Sequence, residues 1–200
     1  MYTQQQFKYL TEKYGSVASW AIWDAKNEKD TSIIFRNIDK LHSNFVLLGL
    51  NISSPLSNKS WVNFHGGRHD RKLKYACHDT MLQGSYITDL FKGIDEPDSS
   101  KIKSRLSDSL IHDNVDYFNR ETKDIGVNED TVFVVLGAPS SFLAKCFNVY
   151  FKDSFSANKV IFYPHYSYYK LTDEEWVVGL WNRLGIHNYY QKVRDEYRAA

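Results

Sequence analysis

Cysteine is scarce: the chain has Cys77 and Cys146 and no other in 200 residues. Two thiols cannot build a disulfide framework or a four-cysteine metal site. Long apolar runs are missing as well. The longest, Phe45-Val46-Leu47-Leu48-Gly49-Leu50, is far too short to span a bilayer, and the opening MYTQQQFKYL lacks the apolar core of a signal peptide. Neither sign of charge dominates: 25 basic residues face 24 acidic ones, net +1. That balance excludes a histone-like basic protein and an acidic tail protein, but a local basic face can hide in a neutral total. Internal repeats and low-complexity linkers are absent too. The expectation is a reduced, soluble, cytoplasmic protein with no membrane partner, folded as a single domain over residues 1–200.

Aromatic residues are abundant: 5 Trp, 14 Tyr and 12 Phe. With 42% hydrophobic and 24% charged residues the chain can bury a real core and is not disordered. Thr3 caps a short helix carrying Phe7, Leu10 and Tyr14 on one face, stopped at Gly15. The segment SWAIWD alternates like an edge strand. Residues 31–43 stay open between helix and strand. Four short apolar runs then follow at 45–50, 85–88, 131–136 and 159–163, each reading as a strand buried on both faces. The stretches between them fit crossover helices at 70–82, 99–125 and 139–151. The last strand leads to a helix with a capping box, Thr172 to Glu175, that ends at Gly185. Strands alternating with helices predict an α/β fold, a three-layer α/β/α sandwich around a central four-stranded, mostly parallel sheet. Such a sheet places its site outside the carboxyl ends of its strands. The loops of interest are therefore 51–55, 89–92, 137–141 and 164–168.

Several familiar chemistries are missing. There is no GxGxxG after a strand, no GxxxxGK[ST] and no GxSxG. Gly137-Ala138-Pro139-Ser140 approaches the last only loosely, and its proline obstructs a nucleophile elbow; a hydrolase using Ser140-Ser141 is the weakest reading. His65, His69, Cys77 and His78 are of zinc-ligand type, but Gly66-Gly67 favours a loop, where i,i+4 spacing guarantees no geometry. No metal and no cofactor is expected. From 59 to 74 five basic residues (Lys59, Arg68, Arg71, Lys72, Lys74) meet one acidic residue, Asp70, with Trp61, Phe64 and Tyr75 interleaved. Cations for phosphate and rings for bases are what single-strand or flipped-base recognition uses, although such a run also serves as a solvated face.

Four segments in order carry a resemblance. Gly49-Leu50-Asn51-Ile52-Ser53 resembles the first motif of the uracil-DNA glycosylase superfamily. Ser85-Tyr86-Ile87-Thr88-Asp89-Leu90-Phe91-Lys92 is similar to the Y-I-T-N-x-V-K segment of its thermostable iron–sulfur branch. Val135-Leu136-Gly137-Ala138 is similar to that branch's third-strand ending, and His165-Tyr166-Ser167 resembles its H-P-S motif. The matches span about residues 45–168. Three departures stand out: Ile52 and Tyr166 replace prolines, and Asp89 stands where the base-reading asparagine belongs. An iron–sulfur cluster is excluded, because two cysteines cannot supply four ligands.

The resemblance implies a glycosylase acting on DNA, single-stranded or with a flipped base. It implies that Asn51 orients a water and His165 donates to the base oxygen. It implies that Asp89 faces the base edge and that Ser53 and Ser167 hold flanking phosphates; Phe64 (or Trp61) and Tyr86 are the candidate rings for the base, and Arg68, Arg71 and Lys72 of the basic stretch the further candidates for DNA contact. An ionised aspartate only accepts hydrogen bonds, so Asp89 faces the O4 of uracil with repulsion; the expected base is damaged or deaminated rather than ordinary uracil. The alternative is a non-catalytic nucleic-acid or nucleobase-binding protein on the same fold. The Tyr166, Tyr168 and Tyr169 cluster reads as packing, and residues 1–44 receive no role beyond completing the core.

Overall fold

The computed structural model describes residues 1–52, 59–67, 69–96 and 98–187. Its centre is a five-stranded sheet of order β1-β3-β2-β4-β5. The four parallel strands are β2 (His42–Asn51), β3 (Ser85–Phe91), β4 (Val132–Val135) and β5 (Val160–Phe162). The fifth strand, beyond the expected four, is β1 (Ala18–Trp20), which pairs antiparallel with β3 at the edge. It begins one residue before the segment that reads as an edge strand and covers only its first two residues, Ser19 and Trp20.

The helices sort into two layers. On one face lie α1 (Gln4–Tyr14), α2 (Ser32–Arg36), α4 (Ser99–Ile102), α5 (Asp108–Asp124) and α6 (Phe142–Cys146), which runs on into a π-helical turn at Phe147–Phe151. On the other lie α3 (Asp70–Cys77) and α7 (Asp173–Leu184). The apolar clusters are therefore two, one per sheet face, and β2 feeds both: Val46 and Leu48 enter one, Leu47 the other. That two-sided burial is why the parallel strands read as continuous apolar runs rather than alternating ones.

Caps act where the sequence places them. Thr3 closes a capping box with Gln6, and Thr172 closes one with Glu175. Gly185 ends α7 at φ 73°, the left-handed conformation that favours glycine. Residues 31–43 resolve into α2, a 3₁₀ turn at Ile38–Lys40 and the start of β2. The helix expected at 70–82 stops at Cys77. The strand expected to end at Thr88 continues to Phe91, so Asp89 is a strand residue and not a loop residue. Pairing with β2 as far as Phe91 keeps β3 extended.

From β2 the chain crosses to β3 on the α3 face. From β3 it crosses back over β2 to β4 on the α5 face. The reversal falls between β2 and β4, and outside the carboxyl ends of such a pair is the usual place for a ligand in a doubly wound sheet. No helix of the described residues is long and apolar enough to cross a membrane.

Candidate functional site

The site begins at Gly49, on β2. Gly49 pairs with Asp89 on β3, and a Cβ there would overlap Asp89 Oδ1 and stand 3.2 Å from the Phe64 ring. Glycine is thus required for the approach of a carboxylate and an aromatic ring to one point of the backbone. Asp89 is only 3% exposed. Asn63 Nδ2 donates to its Oδ2 at 2.8 Å. Burial pushes its carboxyl up from 3.8 to about 6, against the Asn63 hydrogen bond and the nearby Lys92 ammonium, which both lower it.

The loop that brings in Asn63 and Phe64 is held in an unusual shape. Trp61 and Phe64 have φ values of 64° and 63°, the left-handed region that non-glycine residues enter at a cost of about 1–2 kcal/mol. Residues near β1 hold it there. Ser19 Oγ donates to the Trp61 carbonyl at 2.8 Å, and Trp23 Nε1 donates to the Phe64 carbonyl at 3.1 Å. His65 sits against the Glu28 and Trp20 carbonyls and stacks on Trp23. Residues 1–44 therefore do more than complete the core: they buttress the loop that carries Phe64.

The same loop sends the two candidate rings to different sides of the sheet. Trp61 is fully buried against Phe7, Trp20 and Tyr86 in the opposite core, whereas Phe64 lies beside Asp89. Tyr86 leaves the group as well. It points to the α5 face, where its hydroxyl donates to Glu121 at 2.8 Å. A charged network occupies that face. Glu121, fully buried, also accepts from Thr88 and pairs with Lys92, whose ammonium donates in addition to the Asp89 carbonyl.

Asn51 stands two residues beyond Gly49 on the same pleat. Its Nδ2 donates to the carbonyls of Ile52 (2.9 Å), Ile94 (3.2 Å) and Glu96 (2.9 Å). Three acceptors fix the amide's orientation and turn Oδ1, the acceptor, away from them.

After β5, the Phe64 ring meets Tyr166 edge-on at 6.5 Å, and His165 stacks on Tyr166 at 4.1 Å. The backbone N–H of Ser167 donates to His165 Nδ1 at 3.2 Å, and Ser167 Oγ lies 2.7 Å from the same nitrogen. A ring nitrogen that accepts from an amide carries no proton, so neutral His165 is protonated at Nε2. Burial, reinforced by nearby His69, holds its pKa down to about 4. Tyr166, between Asp70 and Asp89, has its phenol raised well above the ordinary value by burial and by those carboxylates. Gly49, Phe64, Asp89, Tyr166 and His165 thus form one contiguous group. Asn63 belongs to it although the sequence singles it out in no way.

The basic stretch fares differently. Lys72 is 5% exposed, and its ammonium reaches the Leu171 carbonyl (3.3 Å), the Tyr168 carbonyl (3.5 Å) and Asp173 (3.4 Å). It is a strut under the loop after β5, not a phosphate contact. Lys74 pairs with Glu28 at 3.2 Å. Arg71 lies over the Tyr75 ring at 5.3 Å. Ser53 and Arg68 lie outside the described residues. The zinc-type residues go separate ways, with Cys77 buried in the core and His65 engaged by carbonyls. Among the described residues no three His, Cys, Asp or Glu side chains gather as a metal site. Ser141 caps α6 through Ala144 N–H, which commits it to structure.

No family model matches the chain, and no curated protein matches it either.

Proposed function

We propose that the protein is a cytoplasmic base-excising glycosylase that hydrolyses the N-glycosidic bond of a damaged or deaminated base in DNA. The observation that carries the reading is the contiguous group at the carboxyl end of the sheet: a buried carboxylate beside an aromatic ring, with a neutral histidine whose proton is on Nε2. As the bond breaks, negative charge builds on the departing base and positive charge on the sugar. The His165 Nε2–H serves as the preorganised donor to the base oxygen, and its low pKa keeps it a neutral donor. Asn51 Oδ1, fixed in orientation, accepts from the attacking water on the sugar side. Phe64 stacks on the flipped base, and the ionised Asp89 accepts N–H hydrogen bonds from its edge. Ser167 and Arg71 contact the flanking strand. The strained backbone at Phe64 supports the reading, because such strain persists where a surrounding structure imposes it, commonly at functional sites.

A second reading follows from burial: Phe64 is 8% and Asp89 3% exposed, which leaves little of either side chain open to a flipped base and suits a non-catalytic nucleic-acid-binding protein. Oligonucleotides carrying uracil, hypoxanthine, xanthine and mismatches separate the two when scored for abasic sites by alkali cleavage. The expected result is cleavage at a base other than uracil, lost in His165→Ala and partly kept in His165→Gln, which retains a donor. Binding without cleavage across the panel sinks the enzymatic reading, and efficient uracil excision unchanged by Asp89→Asn sinks the choice of base.

A further inference from the structure

We propose that the loop after β5 is a stacking platform for an unpaired DNA strand, so that the substrate is single-stranded rather than duplex DNA; this rests on the base-excision reading of the adjacent site. Most large rings of the described residues are buried, four of the tryptophans completely or nearly so. Of the exposed ones (Tyr9, Phe35, Tyr150, Tyr168 and Tyr169), the last two, 38% and 85% exposed, are neighbours in the chain with ring centroids 5.9 Å apart and planes tilted by 47°. Tyr166 packs against Phe64 and His165, as the sequence suggests for the whole cluster, but Tyr168 and Tyr169 stay at the surface. They follow His165 and Tyr166 directly in the chain, at the rim of the site.

The loop that presents them is built rather than loose. From beneath, the buried Lys72 ammonium reaches the carbonyls of Tyr168 and Leu171. From the site side, Ser167 is tied back to His165. The backbone that carries the rings is thus held in place before any ligand arrives, which lowers the ordering cost of stacking on them. Cations and carboxylates both lie near them. Lys170 is exposed beside the two rings, and Arg71 rides on the first turn of α3, next to the Lys72 strut. Three acidic residues open α7: Asp173 is paired with Lys72, Glu175 is turned back onto Thr172, and Glu174 stands between them in the chain. An aromatic face flanked by cations takes a nucleobase and its phosphate. A duplex keeps its base faces inside its own stack, whereas a single strand exposes them. Two tilted rings therefore match two successive unpaired bases beside the one that enters the site.

The test is fluorescence anisotropy with a labelled thymidine oligonucleotide, alone and annealed to its complement, using the full chain. The expected result is single-strand affinity at least about tenfold above duplex affinity. Tyr168→Ala and Tyr169→Ala should each weaken single-strand binding by about five- to a hundredfold. Tyr169→Phe should bind as wild type does, and duplex affinity should not move. Both positions are exposed, so thermal melts should match wild type. Equal affinity for the two forms overturns the platform, as do alanine variants that bind like wild type and tighter binding of the matching uridine RNA. Binding needs no turnover. A protein that cleaves no base yet binds single strands through these tyrosines loses the enzymatic reading and keeps the platform; one that excises but ignores the tyrosines does the reverse.

Discussion

Asp89→Asn should change how stability depends on pH, and by a calculable amount. Burial raises the Asp89 carboxyl from 3.8 to about 6. An acid with a raised folded-state pKa contributes stability that is fully present below its unfolded pKa and is lost as pH rises through its folded pKa. The window is therefore pH 4 to 6, and wild type weakens across it. A shift of roughly two units is worth about 3 kcal/mol in full, of which about 2 kcal/mol falls between pH 4.5 and 8. Asparagine has no charge to bury, and its carbonyl can still accept from Asn63. The amide must find an acceptor near Gly49, which adds a pH-independent cost of about 1–3 kcal/mol. The difference between two pH values cancels that offset. Urea melts followed by tryptophan fluorescence on both proteins at pH 4.5 and 8 give the four stabilities required. The variant should gain about 2 kcal/mol on wild type between the two conditions. Parallel pH profiles would refute the reasoning, because they would mean that the carboxylate is solvated and the pocket is not the dry site described above.

Gly49→Ala should cost about 1–3 kcal/mol or more in a denaturant melt, since its Cβ overlaps the Asp89 carboxylate and β2 or β3 must move. Glu121→Gln keeps an acceptor for Tyr86 and Thr88 but strips Lys92 of its counter-charge, so a loss of about 3–5 kcal/mol is expected by urea denaturation. Lys92→Met should move the Asp89 window to higher pH, because the ammonium is one of the two influences that hold that pKa down. Lys72→Met should lower stability by about 1–3 kcal/mol while leaving the salt dependence of DNA binding unchanged, since this ammonium neutralises no phosphate.

The parts of the fold legible in the sequence are those whose determinants are local. Val46-Leu47-Leu48 announces a strand buried on both faces because each residue carries its own apolar area. Thr172 and Glu175 announce a helix start because both bonds of the capping box lie within four residues. What was not legible depends on partners distant in sequence. A charged residue at 89 reads as a strand end, yet β3 runs through it because Asn63 donates to the carboxylate, the Lys92 ammonium lies near enough to favour its charge, and β2 pairs with the strand as far as Phe91. The run of cations at 59–74 reads as one basic face. It is divided because Glu28 claims Lys74 while Asp173 and two carbonyls claim Lys72. Trp61 and Phe64 are three residues apart and equally eligible as the stacking ring. Only the two left-handed backbone positions send one ring to each side of the sheet, and no composition rule predicts those for tryptophan and phenylalanine.

These tertiary partners give the site its rigidity. The edge strand β1 and the residues after it hold the loop at 61–65 through Ser19 and Trp23. Lys72 holds the loop after β5, and three carbonyls hold Asn51. Asn51, Phe64 and Asp89 are thus fixed by neighbours to which no chemical role is assigned, which preorganised electrostatic stabilisation requires. The N-terminal segment is the least obvious of these supports, because its tryptophans look like ordinary core. Trp23 does pack, but its indole N–H is spent on the carbonyl of Phe64, a residue whose backbone is strained. Replacing that indole with phenylalanine would preserve most of the apolar area and release the carbonyl. Phe64 could then relax out of the left-handed region and away from Gly49 and Asp89. Packing and positioning, which coincide in wild-type Trp23, are separable in that one substitution.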